Sequence, residues 1–108
     1  MAVFAVGAVA CGGRLPAPTA ADAARACDTW RGTTLADLEL GRHLYAERCS
    51  ACHALYEPGR FPALRWPALV SRMSARARLP AADGEAVTRY LVVMARAHDE
   101  KGPTSHVE

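Results

Sequence analysis

The sequence predicts an all-α fold of three main helices, and two patterns support this prediction. Apolar residues recur at three- and four-residue spacing in three segments, which is the period of an amphipathic helix. No run of residues alternates regularly between apolar and polar side chains, so we expect almost no strand. The 108 residues suffice for one small domain.

The first main helix is expected to begin at Thr34, because Thr34-x-x-Asp37 is a capping signal. Leu38, Gly41 and Tyr45 then fall on one face, at i, i+3 and i+7. The helix should continue into the cysteine motif that follows this face.

The second helix is expected near Trp66, since the following Pro67 suits a first helical turn. It would place Trp66, Val70 and Met73 on one face. The third helix should open near Pro80 and end before the Gly102-Pro103 pair. Its apolar stripe consists of Val87, Leu91 and Met94, with Tyr90 beside it.

The first residues look like a targeting segment. Residues 2–10 are apolar or glycine, which is too short to span a bilayer and suits the core of a signal peptide. Ala8-Val9-Ala10 fits a cleavage site before Cys11 and also resembles the lipobox of bacterial lipoproteins, in which the cysteine is acylated. We expect residues 1–10 to be a signal peptide and Cys11 to carry lipid, with plain secretion as the alternative. Either route leads to the bacterial periplasm.

Residues 11–33 are rich in glycine, proline, alanine and threonine, which indicates a lipid-anchored or flexible tether with about one helical turn around 20–27. The domain proper is expected at 34–101, and residues 102–108 would form a tail. Cys27 lies in the tether. It is an odd thiol if Cys11 is acylated and a disulfide partner if Cys11 is free, and the sequence leaves both open.

Charge argues against nucleic-acid binding, because the net charge is only +2. The placement of the arginines is more informative. Arg60, Arg65, Arg72, Arg76 and Arg78 occur within 58–78, a stretch without any acidic residue. This stretch is either a solvated face or a surface for docking and for holding anionic groups.

The motif Cys49-x-x-Cys52-His53 is the most informative chemical feature of the sequence, and it has three possible interpretations. Two thiols at this spacing can bond both vinyl groups of one haem, with the adjacent histidine ligating the iron. A thioredoxin-like redox pair would need a βαβ setting, which this chain does not predict. A structural zinc site would need a second pair of ligands, and none is suitably spaced. Together with the export signal, the motif favours covalent attachment of haem c.

Residues 34–97 resemble the class I c-type cytochromes. The resemblance rests on "GRHLYAERCSACHAL", a downstream methionine and "LPAADGEAVTRYL". The stretch "LYEPGRFPALRWPALVSRM" is more similar to the bacterial dihaem cytochrome c domains, which carry a tryptophan seven residues before a methionine. The resemblance implies a small cytochrome c-like fold with three main helices wrapped around one covalently attached haem, because this sequence holds a single Cys-x-x-Cys-His. It also implies a close helix crossing, with Gly41 and Tyr45 against Tyr90 and Leu91.

The resemblance further implies the iron ligands. His53 would be the proximal ligand, its second ring nitrogen bonded to a proline carbonyl, with Pro58 the first choice and Pro62 the second. Met73, which follows His53 by 20 residues, would be the sixth ligand. The other candidates for that position are Met94, which we interpret as a core residue, and His43, His98 and His106.

Trp66 is expected to pack on the haem edge and to donate its indole N–H to a propionate, although a plain core tryptophan would fit the pattern too. Arg60 and Arg65 are the arginines assigned to the propionates, since they flank Phe61 and Trp66.

These expectations favour an electron carrier over an enzyme. A haem with histidine and methionine on its two axial positions leaves no site for a small-molecule substrate. The partner would be a redox protein with an acidic docking surface, or a redox complex in which this chain is an accessory subunit, and lipid on Cys11 would bind the membrane. The alternative is a haem enzyme or gas sensor with an open or labile sixth iron position.

Overall fold

The computed structural model describes residues 15–49 and 55–100. The described residues form α-helices without any strand, which confirms the all-α prediction. The helices are α1 (Ala20–Ala26), α2 (Leu35–Leu44), α3 (Trp66–Ala77) and α4 (Ala81–Glu100). A π-helical turn, Tyr45–Cys49, continues α2, and two 3-10 turns, Pro58–Arg60 and Ala63–Arg65, lead into α3.

The start of α2 is the predicted capping box. The Thr34 hydroxyl accepts a bond from the Asp37 backbone N–H at 3.1 Å, and the Thr34 backbone N–H donates to the Asp37 carboxylate at 2.8 Å. The second of these bonds holds the pKa of Asp37 below its usual range. Two of the orphan donors at the helix N-terminus are thereby satisfied.

Helices α2 and α4 make the most extensive helix–helix contact of the described chain, and Gly41 permits it. A Cβ atom on Gly41 would collide with the Ala86 carbonyl oxygen and would lie 2.8 Å from Tyr90 Cβ. Only glycine allows the two backbones to approach this closely. The predicted crossing is therefore confirmed.

Helix α4 is the central helix, because α1, α2, α3 and both 3-10 turns contact it. Its predicted stripe of Val87, Tyr90, Leu91 and Met94 is buried. It also buries Val92, Val93 and Ala95, which the amphipathic pattern did not single out. A helix covered from several sides needs more than one apolar face.

Helix α1 lies within the stretch that was expected to be a tether, at the place where one helical turn was predicted. It has its own capping box, Thr19 with Asp22, and it buries Ala23 and Ala26 against α2 and α4. The Cys27 thiol at its end donates to the Thr33 carbonyl at 3.4 Å. Helix α1 is thus packed against α2 and α4.

Two side chains hold the chain in front of α1. The guanidinium of Arg42 donates to the Leu15 carbonyl at 3.0 and 3.2 Å, and the Tyr90 hydroxyl donates to the Pro16 carbonyl at 2.6 Å. Tyr90 is fully buried, and burial raises the pKa of its hydroxyl, so it stays a proton donor.

The predictions for the signal peptide, for lipid on Cys11 and for the tail at 102–108 fall outside the described residues. Within the described ranges, no helix is both long and apolar enough to cross a bilayer.

Candidate haem-binding site

A cleft of about 320 Å³ lies between the π-helical turn, the segment at 56–61 and α3. This volume is within the range of small-molecule sites in proteins, about 300–1,000 Å³. Its apolar and sulfur-bearing walls come from Cys49, Tyr56, Phe61, Trp66, Leu69 and Met73. Cys49, the first cysteine of the motif, and Met73, the predicted sixth ligand, therefore line the same cleft.

Cys49 ends the π-helical turn, and its side chain is buried at the cleft. Cys52 and His53 lie outside the described residues, so their roles remain predictions. A π-helical turn inside a helix is uncommon and occurs often at functional sites. Here it rotates the last turn of the α2 segment and brings Cys49 to the cleft.

Aromatic rings form one wall of the cleft. The ring of Trp66 meets Tyr45 edge-to-face with centroids 6.1 Å apart, and it meets Phe61 in the same way at 5.4 Å. Phe61 in turn meets Tyr56 at 5.3 Å. Such perpendicular pairs are favourable because the positive ring edge points at a negative ring face. They build a rigid apolar surface suited to a flat macrocycle.

Tyr45 ties the two sides of the motif together. Its hydroxyl donates to the Tyr56 carbonyl at 2.7 Å and accepts from the Tyr56 backbone N–H at 3.2 Å. Burial raises the pKa of the Tyr45 hydroxyl, which therefore remains protonated at neutral pH. The chain is thus fixed on either side of the residues that should attach the haem.

The indole N–H of Trp66 donates to the Pro58 carbonyl at 2.8 Å, and both residues are buried. The expectation that this N–H is free for a propionate is therefore wrong: the loop that follows the motif already uses it. A carbonyl oxygen has a second lone pair, so the predicted bond from His53 to Pro58 remains a prediction.

The face that α3 turns to the cleft differs by one residue from the predicted face. Leu69 lines the cleft with Trp66 and Met73, whereas Val70 is buried and lines a different pocket together with Pro67. The prediction for Val70 was wrong because both spacings, i+3 and i+4, fit the helical period.

The other candidates for the sixth ligand lie elsewhere. Met94 is buried in α4 and does not line the cleft. His43 is exposed at 3.4 Å from Glu47, and His98 packs against Gly59. His106 falls outside the described residues. Among the candidates in the described residues, Met73 alone lines the cleft.

The arginines assigned to the propionates do not line the cleft. Arg65 stacks over the Phe61 ring at 5.2 Å, and Arg60 lies 5.6 Å from the Tyr56 centroid and 5.8 Å from that of Phe61. The arginines that do line it are Arg48, Arg72 and Arg76. The sequence contained a signal for two of them, because residues 69, 72, 73 and 76 share one helical face.

Comparison with known protein families agrees with this geometry. The model of the dihaem cytochrome c family matches residues 45–107, which is more than half of the 108-residue chain. The chain belongs to the dihaem cytochrome c family. No match to a curated protein or to a solved structure was found.

Membership of this family makes the chain a cytochrome c, which binds haem c covalently and serves electron transfer. The residues of the cleft fit that cofactor. A buried cysteine, an aromatic wall, a methionine and three arginines line one cleft. Bound haem would supply one-electron chemistry, while the cleft of this dihaem cytochrome c chain would supply Cys49 for attachment and an apolar enclosure.

Proposed function

We propose that this chain transfers single electrons in the periplasm through one His/Met-ligated haem c. The observation that carries the proposal is that Cys49 and Met73 line the same cleft. Cys49 is the one of the two proposed attachment cysteines that the structure describes, and Met73 is a soft ligand suited to haem iron.

His53 and Met73 are the proposed axial ligands. A methionine thioether stabilises ferrous iron relative to ferric iron and so raises the reduction potential. With both axial positions filled by side chains, substrate has no access to the iron. This ligand set suits a carrier and not an enzyme.

The chain is proposed to hold a single haem, although the family name refers to two. The sequence has four cysteines, and only Cys49 and Cys52 stand in a Cys-x-x-Cys-His arrangement. Cys27 is followed by aspartate and threonine, and its thiol bonds the Thr33 carbonyl.

The partner is proposed to be a redox protein with an acidic docking surface. Leu64, which is 87% exposed, stands next to Arg65 and close in sequence to Arg60. An exposed apolar side chain among cations suits a partner that presents carboxylates around an apolar centre.

The periplasmic location and the lipid on Cys11 belong to the same proposal, and they rest on the signal-like residues 1–10.

Two measurements on the protein exported with its own leader test the proposal. Intact mass should show one haem and an acylated Cys11. The ferric spectrum should contain the methionine-to-iron charge-transfer band, and the ferrous protein should not bind carbon monoxide. A missing band together with rapid binding of carbon monoxide would overturn His/Met ligation and favour a sensor or an enzyme.

A further inference from the structure

Three arginines line the cleft. Arg48 comes from the π-helical turn, and Arg72 and Arg76 come from successive turns of α3, on the same face as Met73. None of the described lining residues is acidic. Like charges gathered at one opening repel each other unless an anion lies between them.

The described residues place no carboxylate in an ion pair with the arginines of α3 at the cleft. No ion pair in the described part of the chain involves Arg72 or Arg76, whereas Arg25 and Arg89 do pair with carboxylates. The nearby Glu47 lies against His43. Arg48 donates to the Ala77 carbonyl at 3.3 Å, so its charge is directed to the end of α3 and to the cleft.

We propose that Arg48, Arg72 and Arg76 bind the two propionate carboxylates of the haem. This inference rests on the proposed function, since it requires the haem to lie in this cleft. A planar guanidinium can bind a carboxylate through two parallel hydrogen bonds, which a lysine cannot do. The assignment replaces Arg60 and Arg65, which do not line the cleft and whose guanidinium groups lie over the ring of Phe61.

The same arginines should control the reduction potential. A positive charge beside the haem opposes the extra positive charge of the ferric state and so favours the ferrous state. The effect depends on distance, so cations that touch the propionates should matter more than equally many cations farther away.

The test compares three double variants of the holoprotein at physiological ionic strength. Arg72→Gln with Arg76→Gln removes two charges from the cleft. Arg72→Lys with Arg76→Lys keeps the charges and removes the bidentate geometry. Arg60→Gln with Arg65→Gln is the matched control, since it removes the same net charge outside the cleft. The readout is the reduction potential from a spectroelectrochemical titration.

The glutamine pair in the cleft should lower the potential by about 59 mV, a tenfold change in the one-electron equilibrium. The lysine pair should have a reduction potential close to that of the unmodified protein. The control should shift the potential much less than the glutamine pair in the cleft does. Equal shifts in the cleft variant and the control, or a larger shift in the control, would overturn the assignment. If the double variant fails to mature, the single variants Arg72→Gln and Arg76→Gln are compared with Arg60→Gln in the same way.

Failure of this inference is distinguishable from failure of the proposed function. A wrong function would appear in the unmodified protein as missing haem mass or a missing methionine-to-iron band. A wrong arginine assignment would leave both intact and would leave the potential insensitive to the cleft arginines.

Discussion

At the scale of the residue, Tyr45 illustrates how one side chain can serve both the fold and the site. Its ring packs edge-to-face on Trp66, and its hydroxyl both donates to and accepts from the backbone of Tyr56. The sequence predicted a ring at the helix crossing. It did not predict the hydroxyl bonds, because their partner is the backbone of a residue beyond the motif.

Replacing Tyr45 by phenylalanine should lower the free energy of unfolding at pH 7 by about 0.5–1.5 kcal/mol, since the hydrogen bonds between the buried Tyr45 hydroxyl and the Tyr56 backbone are lost. The pKa of Tyr45 is raised from 10.0 by burial. Its contribution is therefore present below pH 10 and is lost as the pH rises beyond that value. The difference between the two proteins, measured by denaturant titration at pH 7 and near pH 11, should shrink at the higher pH. A difference that stays constant would contradict this account.

The two methionines make the sharpest test of the ligand assignment. Met73→Ala should leave the haem attached, open the sixth iron position, lower the reduction potential and allow carbon monoxide or azide to bind. Met94→Ala should leave the spectrum unchanged and cost about 2–5 kcal/mol of stability, because Met94 is buried in α4. Absorption spectra of the two variants show which methionine is the sixth ligand. If Met94→Ala opens the iron and Met73→Ala does not, the assignment is wrong.

At the scale of the element, the starts of the helices were predictable, whereas the rotation of α3 was not. Thr34 and Pro67 act within one turn of chain, so their effects can be read locally. In α3, Leu69 and Val70 both fit the helical period with Trp66 and Met73, and packing against α4 decides between them. Helix α1 was underestimated, since its buried face is made of alanines, which give little periodic contrast.

The candidate site was predictable to a similar extent. The Cys-x-x-Cys-His motif is contiguous and chemically specific, so the cofactor could be inferred from it. The arginines were assigned by their closeness in sequence to Trp66. Folding instead brings Arg48 to the end of α3, next to Ala77, across 29 residues. Such a long-range contact leaves no local pattern.

The crossing of α2 and α4 should be intolerant of any side chain at Gly41. Gly41→Ala should destabilise the protein by about 1–3 kcal/mol, because the new Cβ would collide with the Ala86 carbonyl and with Tyr90. Gly84→Ala is the matched control. Its Cβ would meet only the Ser74 hydroxyl, at 3.1 Å, which can rotate away, and alanine favours the helix. Thermal unfolding of the two variants should show a large decrease for Gly41→Ala and little change or a gain for Gly84→Ala.

At the scale of the whole molecule, the arginine-rich stretch divides into two groups. Arg72 and Arg76 line the cleft, whereas Arg60 and Arg65 stack on aromatic rings near the exposed Leu64. The sequence presented them as one patch. The fold gives them separate surroundings, so the two groups should have separable effects.

Electron exchange with an acidic partner should slow as salt is added, since the Debye length is only about 8 Å at physiological ionic strength. Arg60→Gln with Arg65→Gln should reduce the rate at low salt and flatten its dependence on salt, with the reduction potential nearly unchanged. Stopped-flow kinetics at several ionic strengths measures both effects. A rate that ignores ionic strength in the unmodified protein would mean that these arginines do not steer the partner.

The hydrogen bonds that hold Leu15 and Pro16 to the domain limit how far the domain can lie from Cys11. Cys11 precedes Leu15 by four residues, which span at most about 14 Å even when fully extended. If Cys11 carries lipid, the domain would therefore be held at the lipid headgroups and could not move far from the bilayer surface. It could then exchange electrons only with partners that come to the bilayer surface, and its search for them would be lateral diffusion in two dimensions.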